Sequence, residues 1–435
     1  MSAVFPIILL MGGSALTRNL KRTVALLACI ILLLCCSCKD NKNSDKQSPL
    51  ENNAKKPTLP QVVTEEVSAQ QGSEAVLTEK ELSLAYSYSF LNETEKKVYR
   101  KMLNMVRHLT VGWVDMGYII NEPSTVVAKA YRAMSNDFPQ YYWIPASYYI
   151  TAKDGVVSVA FKRSDAENEY YYTKEEIEDN KEEIEDAIDR IVSKASKAEN
   201  DFEKEVIIHD MLCKTVTYNS EFESNKGSVY SIYGALVNGM AVCEGYSRAF
   251  KLLCQTVGIE CILVTGDSKG VGHMWNMVKL ENEWYHVDVT WDDLRQEPHH
   301  THLNLTTLQI RADHDIDITY SDAPASLVSQ GNSLNFCVPI ANSDKYNYFL
   351  QRSLVINDDP INPVVNEIVK KFKSGEHRAQ FLFANQTVAN DFKTNYEKYV
   401  VDIQNKCIEK TLKVKFKLKN LSFEGNTVVI YFEKT

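Results

Sequence analysis

A helix that begins at a cysteine, followed by a two-stranded hairpin, is the feature that most constrains the fold of this chain. Apolar residues repeat at helical spacing after Cys243, at Tyr246, Phe250, Leu253 and Val257. The first turn of a helix has free backbone N–H groups and the positive end of the helix dipole, and both favour a thiolate. The same N–H groups can bind an oxyanion. The sequence therefore predicts a reactive thiol at Cys243, whereas Cys254 lies in mid-helix and fits a packing role.

The hairpin follows a predicted strand, residues 261–265, and a glycine-rich loop. Its two runs, residues 273–280 and 283–290, are separated by a two-residue turn. In that register Trp275 pairs with Asp288, and His273 lies opposite Thr290 and diagonal to Asp288. Diagonal neighbours on a sheet lie ~7–8 Å apart, within side-chain reach. If the Cys243 helix packs on this face, we expect a catalytic triad of Cys243, His273 and Asp288.

The remaining histidines have simpler interpretations. His209 lies on a helix and is expected to be packed and hydrogen-bonded, and His286 is expected to face the opposite side of its strand from Asp288. Three histidines are close enough in sequence to suggest a metal site, but the pattern is weak and we predict no metal: His299, His300 and His302. The six cysteines after residue 200 form no CxxC pair, which argues against a structural zinc site and against a redox protein.

Three segments resemble the transglutaminase-like superfamily, especially its bacterial surface-associated branch. They are Ala-Val-Cys243-Glu-Gly-Tyr-Ser-Arg-Ala-Phe, Gly272-His273-Met-Trp-Asn, and Tyr285-His-Val-Asp288-Val-Thr-Trp-Asp-Asp293. The segment from Ile208 to Tyr218 and the pair Asp313-His314 are also similar to that branch, so the resemblance covers about residues 200–320.

The resemblance implies a papain-like core in which Cys243 is the nucleophile, His273 the base and Asp288 the orienting acid. It implies no cofactor. Papain-like enzymes also carry a glutamine a few residues before the cysteine as an oxyanion donor, and this chain has none there. Asn238 is a weak substitute, and the backbone N–H of Cys243 is the preferred candidate.

The N-terminus has the pattern of an export signal. Basic residues precede a short apolar run, residues 24–36, which is shorter than the ~20 residues that span a bilayer. Ser37 and Cys38 resemble the end of a bacterial lipoprotein signal, with Cys38 as the lipidated residue. We expect a signal peptide over residues 1–37 and a disordered tether over 38–72, and plain secretion or a signal anchor are the alternatives.

The fold class predicted for the rest is α+β, with a papain-like core between two flanking regions. Residues 73–199 are expected to form a mainly helical or α+β domain, 200–320 the catalytic domain, and 321–435 an α+β domain. Predicted elements include a capped helix from Asn92, a helix from Pro123, a hairpin at Asp154-Gly155 and a final strand from Thr427.

Composition narrows the function classes. The chain of 435 residues has 44% hydrophobic residues, enough for a core, and a net charge of −9, which argues against nucleic-acid binding. One hypothesis is an exported, membrane-tethered cysteine acyltransferase or peptidase that acts on protein or peptide amides, cell-wall peptide included. The other is an envelope binding or scaffolding protein that keeps the fold without catalysis.

Overall fold

The computed structural model describes residues 5–7, 72–110, 112–144, 148–161, 172–219, 225–293, 297–316, 336–411 and 416–434. Chain contacts divide it into two units, Met1–Asp189 with Thr265–His273, and Arg190–Val264 with Met274–Thr435. Both units combine helices with largely antiparallel sheets, so the α+β class is confirmed. Cys38 and nearly all of the predicted leader and tether lie outside the described residues.

The first unit combines helices with a four-stranded antiparallel sheet in the order β1-β3-β4-β2. Its elements are β1 (Phe5–Ile7), α1 (Glu79–Leu84), a 3-10 turn (Ser87–Phe90), α2 (Glu93–Arg107), β2 (Gly112–Tyr118), α3 (Pro123–Asp137), β3 (Tyr148–Lys153) and β4 (Val156–Phe161). Helix α4 (Lys174–Ala195) follows and continues into the second unit. The predicted capping box at Asn92 and the predicted hairpin, where Lys153 pairs with Val156, are both present.

The first half of the second unit carries the predicted site. Its elements are α5 (Asp201–Thr215), β5 (Thr217–Tyr218), a 3-10 turn (Asn225–Tyr230), α6 (Ile232–Leu236), β6 (Met240–Ala241), α7 (Cys243–Thr256), β7 (Glu260–Ser268), β8 (Val271–Leu280), β9 (Glu283–Val287), α8 (Val289–Asp292), β10 (Leu303–Leu305), α9 (Thr307–Ile310) and β11 (His314–Ile316). Strands β7 to β11 form one sheet in the order β10-β9-β8-β7-β11, and β5 pairs with β6 in parallel.

The register of the β8–β9 hairpin is as predicted, with Leu280 opposite Glu283 and Asn276 opposite Val287. The predicted length of β9 is wrong. The strand ends at Val287 because the Asp288 side chain accepts a hydrogen bond from Trp291 N and caps α8. Thr290 therefore lies in a helical turn, and its predicted place on a strand opposite His273 is wrong.

The second half of this unit is built on a four-stranded sheet in the order β12-β13-β15-β14. Its elements are α10 (Tyr348–Gln351), β12 (Val355–Ile356), α11 (Ile361–Lys373), β13 (Arg378–Phe383), α12 (Gln386–Thr394), α13 (Tyr396–Lys410), β14 (Phe416–Glu424) and β15 (Thr427–Lys434). The predicted final strand is confirmed, and the helices α12 and α13 are separated by the single residue Asn395. Within the described ranges, no helix has the length and apolarity needed to cross a membrane.

Candidate active site

Cys243 is the first residue of α7, as the sequence predicts, and its side chain is half-buried. The residue before it, Val242, has no polar side chain to offer to the N–H groups of the first turn. Gly245 fits here because a Cβ would lie 2.4 Å from Val229 O and 2.8 Å from the Ala241 Cβ. The Cys-Glu-Gly sequence thus allows the preceding backbone to pass close to the start of the helix.

Two polar side chains fasten α7 to strand β8. Ser247 Oγ lies 2.8 Å from Cys243 O and 2.9 Å from Met274 O. Asn276 Nδ2 donates to Ser247 O at 3.0 Å and lies 3.2 Å from Ile262 O on β7. These hydrogen bonds join α7 to the sheet at Met274 and Asn276. Asn276 is three residues from His273 on β8, so its side chain projects from the opposite face of the strand, and packing of α7 on the His273 face stays a prediction.

His273 is the third residue of β8 and is half-buried. It directly precedes Met274, whose carbonyl oxygen contacts the Ser247 hydroxyl. The predicted base therefore lies on the strand to which the first turns of the Cys243 helix are hydrogen-bonded.

Asp288 is 1% exposed and both of its oxygens are engaged. Oδ1 accepts from Trp291 N at 3.1 Å, and Oδ2 lies 2.9 Å from His314 Nε2. A carboxylate oxygen has two lone pairs, so each oxygen keeps capacity for a second donor. The predicted orienting acid is thus itself oriented, by a helix cap and by a histidine to which the sequence analysis assigned no role.

Asp288 is one end of a buried row of alternating carboxylates and imidazoles, here called the His–Asp array. The successive contacts are His314 Nε2–Asp288 2.9 Å, His314 Nδ1–Asp313 2.6 Å, His302 Nε2–Asp313 3.1 Å, His302 Nδ1–Asp292 3.4 Å, His209 Nε2–Asp292 3.2 Å, His209 Nδ1–Asp210 3.1 Å and His300 Nε2–Asp210 2.8 Å. The contact at 3.4 Å is an ion pair rather than a good hydrogen bond.

The geometry assigns charges along this row. A histidine with a carboxylate at each nitrogen needs two protons to satisfy both, so His314 and His209 are imidazolium ions. Burial opposes this charge, but the hydrogen bonds to carboxylates outweigh it and raise the pKa of His209 to about 9 and that of His302 to about 10. They raise the pKa of His314 as well. Burial works against the carboxylates Asp292 and Asp313 too, yet their histidine partners hold both pKa values well below the usual range.

His286 shows the opposite state, and its predicted orientation is wrong. Residues two apart on a strand share a face, so His286 lies on the same side of β9 as the position of Asp288. Its Nδ1 accepts from Trp275 Nε1 at 3.1 Å, and its Nε2 lies 3.2 Å from Thr307 Oγ1. Burial, together with the charge of His314, lowers the pKa of His286 to about 3. His286 is therefore a neutral histidine that accepts a hydrogen bond from the Trp275 indole, and it is not a second base.

Two groups within the array have the donor types of a metal site: His209, Asp210 and His300, and His302, Asp313 and His314. In each group the ligand atoms lie within 4.8 Å of one another. The trio weighed from sequence is not assembled, because His300 and His302 belong to different groups and His299 belongs to neither. His299 is buried near Asp292, where burial lowers the pKa of its ring to about 4.

The oxyanion candidates are placed differently. Asn238 lies between α6 and β6, and its Nδ2 is 3.4 Å from Ser228 Oγ. Tyr218, which the sequence analysis did not select, pairs with Ala241 two residues before Cys243. Partial burial raises the pKa of the Tyr218 phenol above its usual range although the residue is 40% exposed, and the neighbouring Cys243 and Asp288 raise it further. Tyr218 is therefore a neutral hydroxyl group beside the predicted nucleophile.

Known proteins resemble this part of the chain. Residues 188–289 match the family model of the transglutaminase-like superfamily. The chain contains a transglutaminase-like domain. The kyphoscoliosis peptidases of mouse and human are 31% identical over 108 residues and 30% identical over 118 residues. These stretches are 22% and 24% of this chain, and only 16% and 18% of the two relatives.

The solved structures are more distant. A structure described as that of a TGase matches with 16% identity and a TM-score of 0.27, over 46% of this chain and 57% of that one. This TM-score is too low to assign a shared fold. The similarity to the superfamily therefore rests on residues 188–289 and on their resemblance to the two peptidases.

The C-terminal half of the second unit supports the transglutaminase-like domain at the far end of the His–Asp array. The Tyr348 ring stacks on His300 with a centroid distance of 3.7 Å and an interplanar angle of 5°. Arg352 forms two hydrogen bonds of 2.6 Å with Glu203 on α5. These contacts hold the helix that carries His209 and Asp210 against the residues that follow the domain.

The array members were missed because most of them are far apart in sequence. Two of its links are visible, since His209 precedes Asp210 and Asp313 precedes His314. A histidine beside an aspartate in the sequence is the available signal. A search for such pairs would have identified one link near each end of the row. Nothing in the sequence indicates that Asp292 connects them.

Proposed function

We propose that the protein is a cysteine-dependent enzyme that acts on protein or peptide amide bonds, with Cys243 as nucleophile, His273 as base and acid, and Asp288 as the orienting carboxylate. The observation that carries the proposal is Cys243 at the first position of a helix that is hydrogen-bonded to β8 next to His273. The superfamily match and the peptidase names of the two relatives support the reaction class.

The proposed chemistry has two steps. The Cys243 thiolate attacks the amide carbonyl carbon, the C–N bond breaks, and the departing amine takes a proton from His273, which leaves a thioester. Water or a second amine then attacks the thioester, gives its proton to His273, and releases the Cys243 thiolate. The backbone N–H groups at the start of α7 stabilise the oxyanion in both steps. Water gives a peptidase or amidase, and an amine gives a transferase.

The test is incubation of the full-length protein with a library of envelope-derived and protein-derived peptides and an isotopically labelled primary amine, read by mass spectrometry. We expect cleaved or amine-labelled products with the wild type and none with Cys243→Ala. If the folded wild type gives no product with any peptide, the protein is a binding or scaffolding member of the superfamily, and the enzymatic proposal fails.

The reactivity of Cys243 gives a check that needs no substrate. Iodoacetamide at mildly acidic pH should label Cys243 first. Burial raises the pKa of Cys213 and Cys254 above the usual range and that of Cys407 to about 12. Cys337 is the matched control, because it is also half-buried but does not begin a helix. Equal labelling of Cys337 and Cys243 would contradict an activated thiol.

Export and tethering form a separate part of the proposal, supported by the sequence of residues 18–38 alone. We infer that the protein is anchored at a bacterial membrane surface through an acylated Cys38. A single acyl chain gives only marginal membrane binding, so stable anchoring needs more than one chain. Cys38→Ala should move the protein into the soluble fraction after cell fractionation. Unchanged membrane association would favour a signal anchor.

A further inference from the structure

The His–Asp array ends at Asp288, the carboxylate proposed to orient the catalytic base, so the charges of the array can influence the reaction through Asp288. We propose that His314, held between Asp313 and Asp288, is a positioning residue that fixes the orientation and the ionised state of the triad carboxylate. The proposal rests on the proposed function, because Asp288 matters only if His273 transfers protons. It assigns a role to a histidine that lies 26 positions after Asp288 in the chain.

The first argument is geometric. Asp288 Oδ1 is fixed by the N–H of Trp291, and Oδ2 by His314 Nε2 at 2.9 Å. Two donors on two oxygens determine the plane of the carboxylate. Small displacements of catalytic groups are costly, since a misplacement of ~1 Å can reduce a rate about 100-fold. His314 therefore controls the one rotation of Asp288 that the helix cap alone leaves open.

The second argument is electrostatic. His314 is fully buried, and its ring lies between the indoles of Trp275 and Trp291 at centroid distances of 5.0 and 5.3 Å. A positive charge among apolar rings lies in a medium of low polarity, where its attraction for Asp288 is strong. A charge at this position favours the ionised carboxylate, and the ionised carboxylate favours the imidazolium that forms on His273 during the reaction.

The third argument is that Asp313, together with Asp288, keeps the charge on His314 against the repulsion of the neighbouring His302. Titratable groups that face His314 include Asp288, Asp313, His302 and His286. Asp313 accepts from His314 and from His302 through different oxygens, and Asp292 faces both His302 and His209. Three imidazolium ions thus alternate with four carboxylates, which compensates the cost of burying each charge.

The experiment compares His314→Gln with His286→Gln in the full chain. Both histidines are buried, and both rings lie near the Trp275 indole. His286 is neutral, however, and contacts Trp275 and Thr307 instead of a carboxylate. For His314→Gln we expect a fall in kcat of about 10-fold to 100-fold with KM nearly unchanged, as for misplaced catalytic groups. Activity should also be lost at a higher pH on the acid side of the profile, because loss of the charge makes protonation of Asp288 easier.

A second variant protects the test against misfolding of the first. Asp313 is a quarter exposed, so Asp313→Asn should fold, and it leaves the His314–Asp288 contact in place. We expect its effect on kcat to lie between those of His286→Gln and His314→Gln. If His314→Gln or Asp313→Asn is folded and retains both the wild-type kcat and the wild-type pH profile, the proposal is wrong.

Nuclear magnetic resonance of ¹⁵N-histidine in the full chain separates this proposal from the proposed function. In the wild type the His314 ring should titrate above the ordinary histidine value, and Asp288→Asn should lower its pKa. This result is expected even if no substrate is ever turned over. Titration of His314 near the ordinary value of about 6.5 would overturn the positioning role.

Metal analysis after dialysis against zinc gives a further check, because zinc bound one to one and lost in His302→Ala would make the array a metal site instead.

Discussion

The two halves of the second unit differ in what they bury. The C-terminal half, residues 348–434, is built around a cluster of buried apolar side chains that includes Ile368, Phe381 and Phe392. The transglutaminase-like half, residues 190–316, has an apolar core as well, but it also buries the His–Asp array, in which Asp292 and His209 are 0% exposed. The C-terminal half needs only apolar side chains that fill its core. The transglutaminase-like half needs, in addition, a partner of opposite charge for each charged side chain that it buries.

The difference predicts how each half responds to change. An apolar core tolerates a substitution that keeps shape and approximate volume. A buried ionic row does not, because removal of one partner leaves a charge without compensation, at a cost of about 3–5 kcal/mol. Catalysis gives a reason to maintain such a row, since its last member is the carboxylate proposed to orient His273.

The largest effects should come from the triad. His273→Ala should reduce acyl transfer by about 10²–10⁴-fold, the usual value of a general acid–base group, while the protein stays folded. Asp288→Asn should cost less than His273→Ala, because it disturbs the tautomer and orientation of the imidazole but leaves the base in place. Steady-state kinetics with the best peptide substrate measure both.

A variant of the apolar half is the control for this pair. Ile368→Val removes one methylene from the cluster and should leave kcat and KM unchanged. If His273→Ala, with an intact fold, retains more than a tenth of the activity, the triad assignment is wrong.

The comparison itself is tested by the smallest change in each half. Asp292→Asn keeps the shape of the side chain but removes the charge shared by His209 and His302. We expect the free energy of unfolding to fall by about 3–5 kcal/mol. Ile368→Val should lower it by only about 0.5–1.5 kcal/mol. Urea unfolding of both variants measures this difference, and equal losses would show that the array contributes no more than ordinary packing.

Sequence reasoning succeeded where the signal is local and failed where it depends on contacts between distant segments. The start of α7 at Cys243 and the register of the β8–β9 hairpin follow from spacing and turn length. The end of β9 was missed because a single side-chain bond, from Asp288 to Trp291 N, diverts the chain into a helix. The array was missed because Asp292 joins histidines at positions 209 and 302, and no periodicity within either segment records that contact.

Glu205, in the transglutaminase-like half, is a buried carboxylic acid that stays neutral. Glu205 is fully buried, and burial raises its pKa to about 8 although Asn304 Nδ2 donates to its Oε2 at 2.8 Å. Glu205 Oε1 and Asn304 Oδ1 have no hydrogen-bond partner among the described residues. A proton on the Glu205 carboxyl therefore avoids the burial of an ionised carboxylate that has one hydrogen-bond donor at only one of its oxygens.

The sign of the pH dependence follows from this raised pKa. Between the ordinary value of 4.5 and about 8, the folded protein binds more protons than the unfolded chain, so the free energy of unfolding falls as pH rises. Glu205→Gln removes this term and should be more stable than the wild type by roughly 3 kcal/mol at pH 7, and nearly equal to it at pH 4. Urea unfolding of both proteins at several pH values measures it. Parallel pH curves for the two would mean that Glu205 is ionised in the folded state.

The smallest effect is expected at His286, because this buried histidine is neutral whereas the histidines of the array carry charge. The side chain of Gln can accept from Trp275 Nε1 through its oxygen and donate to Thr307 through its nitrogen, so His286→Gln keeps both types of contact. Each altered hydrogen bond is worth about 1 kcal/mol, so we expect a loss of about 1–2 kcal/mol in the free energy of unfolding. The kinetic constants should change by less than about threefold, a barrier difference of under 1 kcal/mol. An inactivation by a folded His286→Gln as large as that of His273→Ala would mean that His286 takes part in catalysis, and the assignment of His273 as the one base would be wrong.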